Sequence, residues 1–346
     1  MRIVVGLSGG IDSAVAAWLL RRDGHEAVGV HLTLTGIDED ALRATRRAAE
    51  ALGIPLLERD GSERFRETVV LPALEAYAAG LTPNPCVVCN RQVKLEELLR
   101  AADDIGTGSV ATGHYARVVR QAGRVRLLAA LHRNKDQSYF LHRLTPDQLG
   151  RLVLPLGELS KDDVRALARE AGLPAVERPE SQELCFVPPG SGVADLVERE
   201  LPGRIRPGPV VGPGGERLGN HGGIHRFTVG QRRGLGIAAG EPVYVTALDP
   251  RTAAVTVGPA RALERDRILV TDPSWLAGEP PPFPLRCTVR IRARHAGERC
   301  VVSPGPGETL EVRFVAPVRA PAPGQAAVFS DGDEVLGGGW IAPPPP

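Results

Sequence analysis

Apolar residues fall along this chain in two rhythms. Up to about residue 200, short apolar runs alternate with stretches in which they recur every three or four positions. From about Pro202 the helical rhythm gives way to Gly, Pro and alternating apolar residues. Ile3-Val4-Val5 reads as a buried strand, and Ser13-Ala14-Val15-Ala16-Ala17-Trp18-Leu19-Leu20 as a core helix rich in good helix formers. Ala27 to Leu32 reads as a second strand, Asp40 to Leu52 as a helix, Leu56-Leu57 as the start of a third strand, and Ser109 to Thr112 as another. The helical stretch from Glu63 to Ala79 contains Pro72, which is expected to kink or break it. A hairpin is expected between Val125 and Phe140. Residues 145 to 200 read as helical pieces, one started by Pro146 and one capped by Ser160-Lys161-Asp162-Asp163, with Glu180 to Val187 breaking the pattern. Strands alternating with helices predict an α/β parallel sheet, which binds ligands at the carboxyl ends of its strands. The expected domains are 1–200, then two small β domains at 201–272 and 273–346. Pro280-Pro281-Pro282 separates or decorates the last unit, and the tail from Pro343 to Pro346 is expected to fray.

Between the first strand and helix lies Gly6-Leu7-Ser8-Gly9-Gly10-Ile11-Asp12-Ser13. Adjacent glycines let backbone approach a ligand, and N–H groups at a helix start favour an anion such as phosphate. Ser8 and Ser13 add hydroxyls, and Asp12 suits a magnesium ion that phosphate brings along. With no lysine after the glycines this is not a Walker loop, and it is not G-x-G-x-x-G. An ordinary Gly-rich turn is the alternative.

A second candidate is Thr82-Pro83-Asn84-Pro85-Cys86-Val87-Val88-Cys89-Asn90, opening the helix that begins Arg91-Gln92-Val93-Lys94. A thiol at a helix N-terminus beside a cation has a lowered pKa, and Cys89 with Arg91 and Lys94 fits that description. The alternative is half of a zinc site, for which Cys287 and Cys300 supply no second Cys-x-x-Cys. Cys185 lies between apolar residues and is read as either buried or reactive. Arg290, Arg292 and Arg294 alternate with Cys287, Val289 and Ile291, so the arginines share one strand face. They track a phosphate backbone or form a plain solvent face; Cys287 and Cys300 go to the core. Gly222 to Gly236 is read as a flexible, basic segment.

Composition narrows the class. The 346 residues are 42% hydrophobic and 24% charged, as in a globular protein of two or three domains. A net charge of +1 excludes a uniformly basic nucleic-acid binder but leaves room for a basic face. Only Lys94, Lys135 and Lys161 among the 42 basic residues are lysines, the mark of a coding bias that makes each lysine notable. The five cysteines do not read as a disulfide framework, and neither a signal peptide nor a membrane-length apolar run is visible, so a cytoplasmic location is expected.

Gly-Leu-Ser-Gly-Gly-Ile-Asp-Ser resembles the SGGxDS loop of the PP-loop ATP pyrophosphatases. Together with Thr-Pro-Asn-Pro-Cys-Val-Val-Cys-Asn, Ala-Thr-Gly-His-Tyr, Asn-Lys-Asp-Gln-Ser-Tyr-Phe-Leu, Leu-Cys-Phe-Val, Thr-Val-Gly-Gln-Arg-Arg-Gly-Leu-Gly-Ile and Pro-Gly-Gln-Ala-Ala-Val-Phe, it is similar to the tRNA-specific 2-thiouridylase family, in order from residue 3 to about residue 341. The resemblance implies a PP-loop domain with a helical tRNA-binding extension, a central β domain and a barrel-like C-terminal one. It implies an enzyme that replaces O2 of the wobble uridine of tRNA with sulfur, using ATP, Mg2+ and a persulfide from a cysteine desulfurase or sulfur carrier. By motif, Gly6 to Ser13, Leu32 and Gly113 would bind ATP, Cys89 would be the nucleophile, and Cys185 would carry the persulfide. Asn84, Pro85 and Cys86 would face the target base. His114, Lys135, Asp136, Gln137, Arg292, Ala293 and Gln325 would meet tRNA. The stretch between Leu32 and Ala41 is shorter than is usual in the family. Cys86 stands where some members have Asp, so Cys86, Cys89 and Cys185 holding an iron–sulfur cluster is an alternative route. Another PP-loop adenylating ligase and an RNA-binding or sulfur-carrier protein with a vestigial nucleotide loop are the rival readings.

Overall fold

The computed structural model describes residues 1–36, 38–174, 184–237 and 241–344. Its N-terminal part is built on five parallel strands: β1 (Arg2–Gly6), β2 (Glu26–Thr33), β3 (Leu56–Asp60), β4 (Val110–Ala111) and, entered later, Leu152–Val153. Their spatial order is β3, β2, β1, β4 and then Leu152–Val153, with Val4 opposite both Val28 and Val110. Ile3, Val4 and Val5 are each at most 1% exposed, because helices cover both faces of the sheet. Helix α1 (Ile11–Arg22) and helix α2 (Glu39–Leu52) close one side through Leu20, Ala49 and Leu52, packed on Ile3 and Val5. Leu98 and Leu99 of the helical segment 85–104 close the other side against Val4 and Val30. The strand order reverses between β1 and β4, so the loops after these two strands flank the crevice where such sheets take ligands.

At Pro72 the chain stays helical but the α-helical pattern is interrupted. The segment 62–78 stays helical through a π-turn at Arg66–Val70, immediately before Leu71 and Pro72. A proline ring crowds the carbonyl four residues back, and the wider i→i+5 turn relieves that crowding. A second π-turn, Asn90–Lys94, joins Pro85–Cys89 to Leu95–Asp104, so 85–104 is one helix widened just after Cys89.

The expected hairpin lies earlier than read, in β5 (Ala116–Gln121) and β6 (Arg124–Ala129). It pairs with the C-terminal part. The strand Glu264–Trp275 pairs with Leu310–Arg319, then in turn come Glu298–Pro304, Leu285–Arg290, Ala326–Asp331 and Glu334–Ile341, which pairs back onto Glu264–Trp275. This ring is a closed six-strand barrel, and β6 is added to Glu334–Ile341 with Leu127 opposite Val335. Glu264–Trp275 runs through the boundary expected at 272/273, because its inward Ile268 and Val270 belong to the barrel core. The central unit is a four-stranded sheet of Gly208–Val211, Arg217–His221, Tyr244–Asp249 and Ala254–Gly258 around Val210, Val245, Val255 and Val257.

Arg290 does not share a strand face with Arg292 and Arg294. The strand ends at Arg290, whose side chain is 15% exposed and covered by Asp136 and Tyr139 on the face away from the barrel core, while Arg292 and Arg294 are exposed on the following turn. Cys287 and Cys300 stand opposite each other in the barrel, their sulfurs 3.6 Å apart, Cys300 buried in its core and Cys287 packed against that core. Glu180, Ser181, Gln182 and Glu183, read as breaking the helical pattern, lie outside the described residues, as do Pro345 and Pro346 of the tail. Among the described residues no helix is long and apolar enough to cross a membrane.

Candidate active site

The loop from Gly6 to Ser13 leaves the end of β1 and enters α1 directly. Gly10 stands at the helix N-cap position in extended conformation, so the N–H groups of the first turn face the crevice. Ser13 Oγ accepts from the Ser8 N–H at 3.2 Å and donates to the Gly10 carbonyl at 2.9 Å, holding the loop in a closed curve. Two of its neighbours must be glycine. Gly9 has φ +74° and a side chain there would come within 2.7 Å of the Ala41 carbonyl; one at Gly113 would come within 2.9 Å of the Asp12 and Ser13 backbone. The β4 loop thus packs directly onto the phosphate-type loop. Leu32 lies at the end of β2, on the same edge of the sheet.

Asp12 projects from the first turn of α1. Its Oδ1 accepts from Tyr115 Oη at 2.7 Å and from Lys161 Nζ at 2.7 Å. Lys161 is only 15% exposed at its side chain, and its helix, Lys161–Glu170, is fixed by a capping box between Ser160 and Asp163. The cap was legible in the sequence, whereas the lysine's reach to Asp12 across 149 residues was not. Its rarity in an arginine-rich chain was the available signal. Tyr115, likewise missed as a site residue, is ordered by Gln137, whose Oε1 accepts from the Tyr115 N–H at 2.9 Å. The second Asp12 oxygen and the helix N-terminus make a donor set that fits a magnesium–triphosphate.

The thiols of residues 85–104 lie on the helix that covers the sheet face opposite α1. Pro85 opens the helix, Cys86 is exposed in its first turn, and Cys89 is buried at 4% exposure among Phe65, Val69 and Val93. Phe186 reaches the same cluster, its ring centroid 6.1 Å from that of Phe65, and thereby brings the exposed Cys185 to the cysteine helix. Cys89 is not the low-pKa thiol the sequence implied. It sits at the end of the first turns rather than at the helix N-terminus, and burial pushes it up to about 11, with Lys94 opposing that rise. Desolvation also raises Cys86 and Cys185, whose accessible sulfurs are flanked by protein, and Lys94 again acts in the opposite direction. Burial and the Lys94 charge push His114 down to about 3, which leaves its imidazole neutral, with Nδ1 2.8 Å from Thr112 Oγ1. Lys94 therefore acts electrostatically on three thiols and a histidine at once.

The cluster alternative finds no support in this arrangement: among the described residues no group of three His, Cys, Asp or Glu side chains is placed to hold a metal ion. The expected tRNA contacts divide into two sets. Arg292 is exposed and Ala293 half-buried on the turn after the strand ending at Arg290, and Lys135 is half-buried in the turn Arg133–Lys135. Asn84, Gln325, Asp136 and Gln137 have partners on other elements: Asn84 Nδ2 donates to Gln325 Oε1 at 3.2 Å, the 3% exposed Asp136 carboxylate pairs with Arg290 at 2.7 Å, and Gln137 Oε1 accepts from the Tyr115 N–H. Nothing in their spacing along the sequence marked these residues as contacts between domains.

A doubly wound sheet with a Gly-rich loop at its switch point, an acidic side chain in that loop and a cysteine-bearing helix beside it defines a PP-loop nucleotide-binding domain, here followed by two β domains. Residues 1–189 match the family described as tRNA methyl transferase HUP domain, 194–259 its PRC-barrel domain and 265–341 the aminomethyltransferase beta-barrel domain. Similar proteins named tRNA-specific 2-thiouridylase MnmA include that of Chloroflexus aggregans, 45% identical over 99% of this chain and 98% of the relative, and that of Syntrophotalea carbinolica, 46% identical over 98% of each. A third, from Sorangium cellulosum, is 46% identical over 98% of this chain and 92% of its own. The chain belongs to the tRNA-specific 2-thiouridylase family.

Proposed function

We propose that the chain is a tRNA sulfurtransferase that converts the wobble uridine to 2-thiouridine, with ATP activating the base oxygen and cysteine thiols delivering the sulfur. The observation that carries the reading is the placement of two chemistries on one parallel sheet: an anion-binding loop with Asp12 and Lys161 at the end of β1, and, on the face opposite α1, a helix bearing Cys86 and Cys89 with Cys185 beside it.

A uridine carbonyl oxygen leaves poorly, so it is first joined to the α-phosphorus of ATP, with pyrophosphate departing. Gly6 to Ser13, Leu32 and Gly113 would line the nucleotide pocket, and Lys161 would balance charge on the departing pyrophosphate. Magnesium would sit at Asp12, where it would neutralise phosphate charge. A persulfide on Cys185, supplied by a sulfur-donating protein, attacks C2 through its outer sulfur, and AMP leaves with the original oxygen. Cys89, as thiolate, then attacks the Cys185 sulfur; the S–S bond breaks, its electron pair stays on the sulfur bound to C2, and a Cys89–Cys185 disulfide remains for an external dithiol to reduce. Cys86, Asn84 and Pro85 would border the extruded base, with Lys135, His114 and the Arg292–Ala293 turn toward the tRNA.

The family model's description names methyl transfer. Two thiols beside an ATP-type loop favour thiolation, and the product's mass separates the readings. Purified protein, unmodified tRNA, ATP, magnesium and a persulfide donor should give uridine gaining the mass of an oxygen-to-sulfur exchange. A methyl gain, or no gain with tRNA bound, would overturn the assignment.

A further inference from the structure

The C-terminal barrel meets the start of the cysteine helix directly, through Gln325 and Pro323 on Thr82 and Asn84, and also through a narrow wedge, residues 136–140. On the barrel side, Arg290 donates to Asp136 Oδ2 at 2.7 Å and to Ser138 Oγ at 3.0 Å, and its guanidinium lies 5.5 Å from the Tyr139 ring centroid. Asp136 is fully committed, its Oδ1 also accepting from the Ala130 and Ser138 N–H groups at 3.0 and 3.1 Å. On the helix side, the buried Tyr139 hydroxyl lies 2.8 Å from the Ala326 carbonyl of the barrel and 3.3 Å from Asn84 Oδ1. The Ala326 N–H donates to that same Asn84 oxygen at 2.7 Å, and Asn90 Nδ2 donates to the Phe140 carbonyl at 3.3 Å. Asn84 and Asn90 bracket Cys86 and Cys89.

We propose that Arg290 and Tyr139 are positioning residues, through which the barrel holds the start of the cysteine helix in register for sulfur transfer. The inference rests on the proposed thiolation and adds that the barrel sets thiol geometry as well as meeting RNA. The Asp136 carboxylate and the Ser138 and Tyr139 hydroxyls all have partners, and a satisfied buried network favours one arrangement. The strand carrying Arg290 leads straight into the exposed Arg292 turn, so the element that holds the wedge also borders the expected tRNA surface. Group transfer is sensitive to such placement, since a misplacement of about 1 Å costs on the order of a hundredfold.

The test combines Tyr139→Phe, which keeps the ring and removes the hydroxyl, with Arg290→Gln and Arg290→Lys. Amide hydrogen exchange of residues 82–90 should speed up in Tyr139→Phe and Arg290→Gln at temperatures where the global fold is intact. Single-turnover thiolation at saturating tRNA and ATP should fall by about tenfold, with the KM for tRNA little changed and Arg290→Lys recovering part of the rate. Unchanged exchange at 82–90, or faster exchange with an unchanged single-turnover rate, would overturn the inference. So would a defect confined to KM. A wild-type protein that forms no 2-thiouridine would instead overturn the functional reading, while the exchange measurement would still decide whether the wedge orders the helix.

Discussion

Alkylation of Cys89 as a function of pH reads its environment directly. With its thiol pushed up to about 11 by burial, the thiolate fraction at pH 8 is about one in a thousand, against about a quarter for a free thiol near its usual pKa. Iodoacetamide should therefore modify Cys89 roughly two hundredfold more slowly than an unperturbed cysteine, before any steric cost of entering the Phe65 and Val93 cluster. The rate should rise about tenfold per pH unit up to roughly pH 10. Lys94 is the charge that holds this rise in check, so Lys94→Met should slow modification at fixed pH by about tenfold. Peptide mass spectrometry of protein quenched at timed intervals resolves Cys89 from Cys86 even in one digest. A modification rate that levels off at neutral pH would refute the reasoning, because it would mean an electropositive thiolate site rather than a desolvated thiol. A protonated Cys89 also makes chemical sense beside Cys185: the resolving thiol stays quiet until sulfur is in place, and the pair resists oxidation at rest.

Lys161→Met removes a charge-assisted contact to Asp12 and should raise the KM for ATP by roughly tenfold to a hundredfold, leaving tRNA binding measured by filter retention unchanged. Gly113→Ala places a methyl group against the Asp12 and Ser13 backbone; calorimetry should show nucleotide binding lost, with circular dichroism of the fold preserved. His142 is fully buried and neutral, its pKa pushed down to about 3 by desolvation. The unfolded chain therefore binds a proton that the folded chain refuses, and stability falls as pH drops from about 6.5 toward 3. The slope from this one residue is about 1.4 kcal/mol per pH unit, and urea titrations of His142→Asn should lack it.

The N-terminal architecture was legible because it is written locally. Ile3 to Val5 is buried on both faces and so forms an unbroken apolar run, and Gly9 and Gly113 are demanded by contacts that no side chain tolerates. What the sequence hid depends on long-range packing. The 85–104 helix buries Cys89 after its first turns, reversing the direction of its pKa shift, and nothing in Cys-Val-Val-Cys announces that Phe65 and Phe186 will cover it. Lys161 was read for its place beside a cap, since a partner 149 residues away leaves no periodic trace. Asn84, Gln325 and Asp136 carry motif signals, yet they serve in large part to join the barrel to the catalytic domain. That the hairpin Ala116 to Ala129 joins the C-terminal barrel could not be read from it, because strand pairing between distant segments leaves no mark on either strand alone.

In the proposed reaction one sulfur atom passes from Cys185 to the base while one ATP is cleaved. A single-turnover reaction with protein carrying a heavy-isotope persulfide on Cys185, quenched and followed by mass spectrometry, tests it in one experiment. Heavy 2-thiouridine, AMP and pyrophosphate should form in equal amounts, together with a new Cys89–Cys185 disulfide, with no heavy product from Cys185→Ser. Heavy sulfur that stays on the protein while 2-thiouridine forms from another source would contradict it.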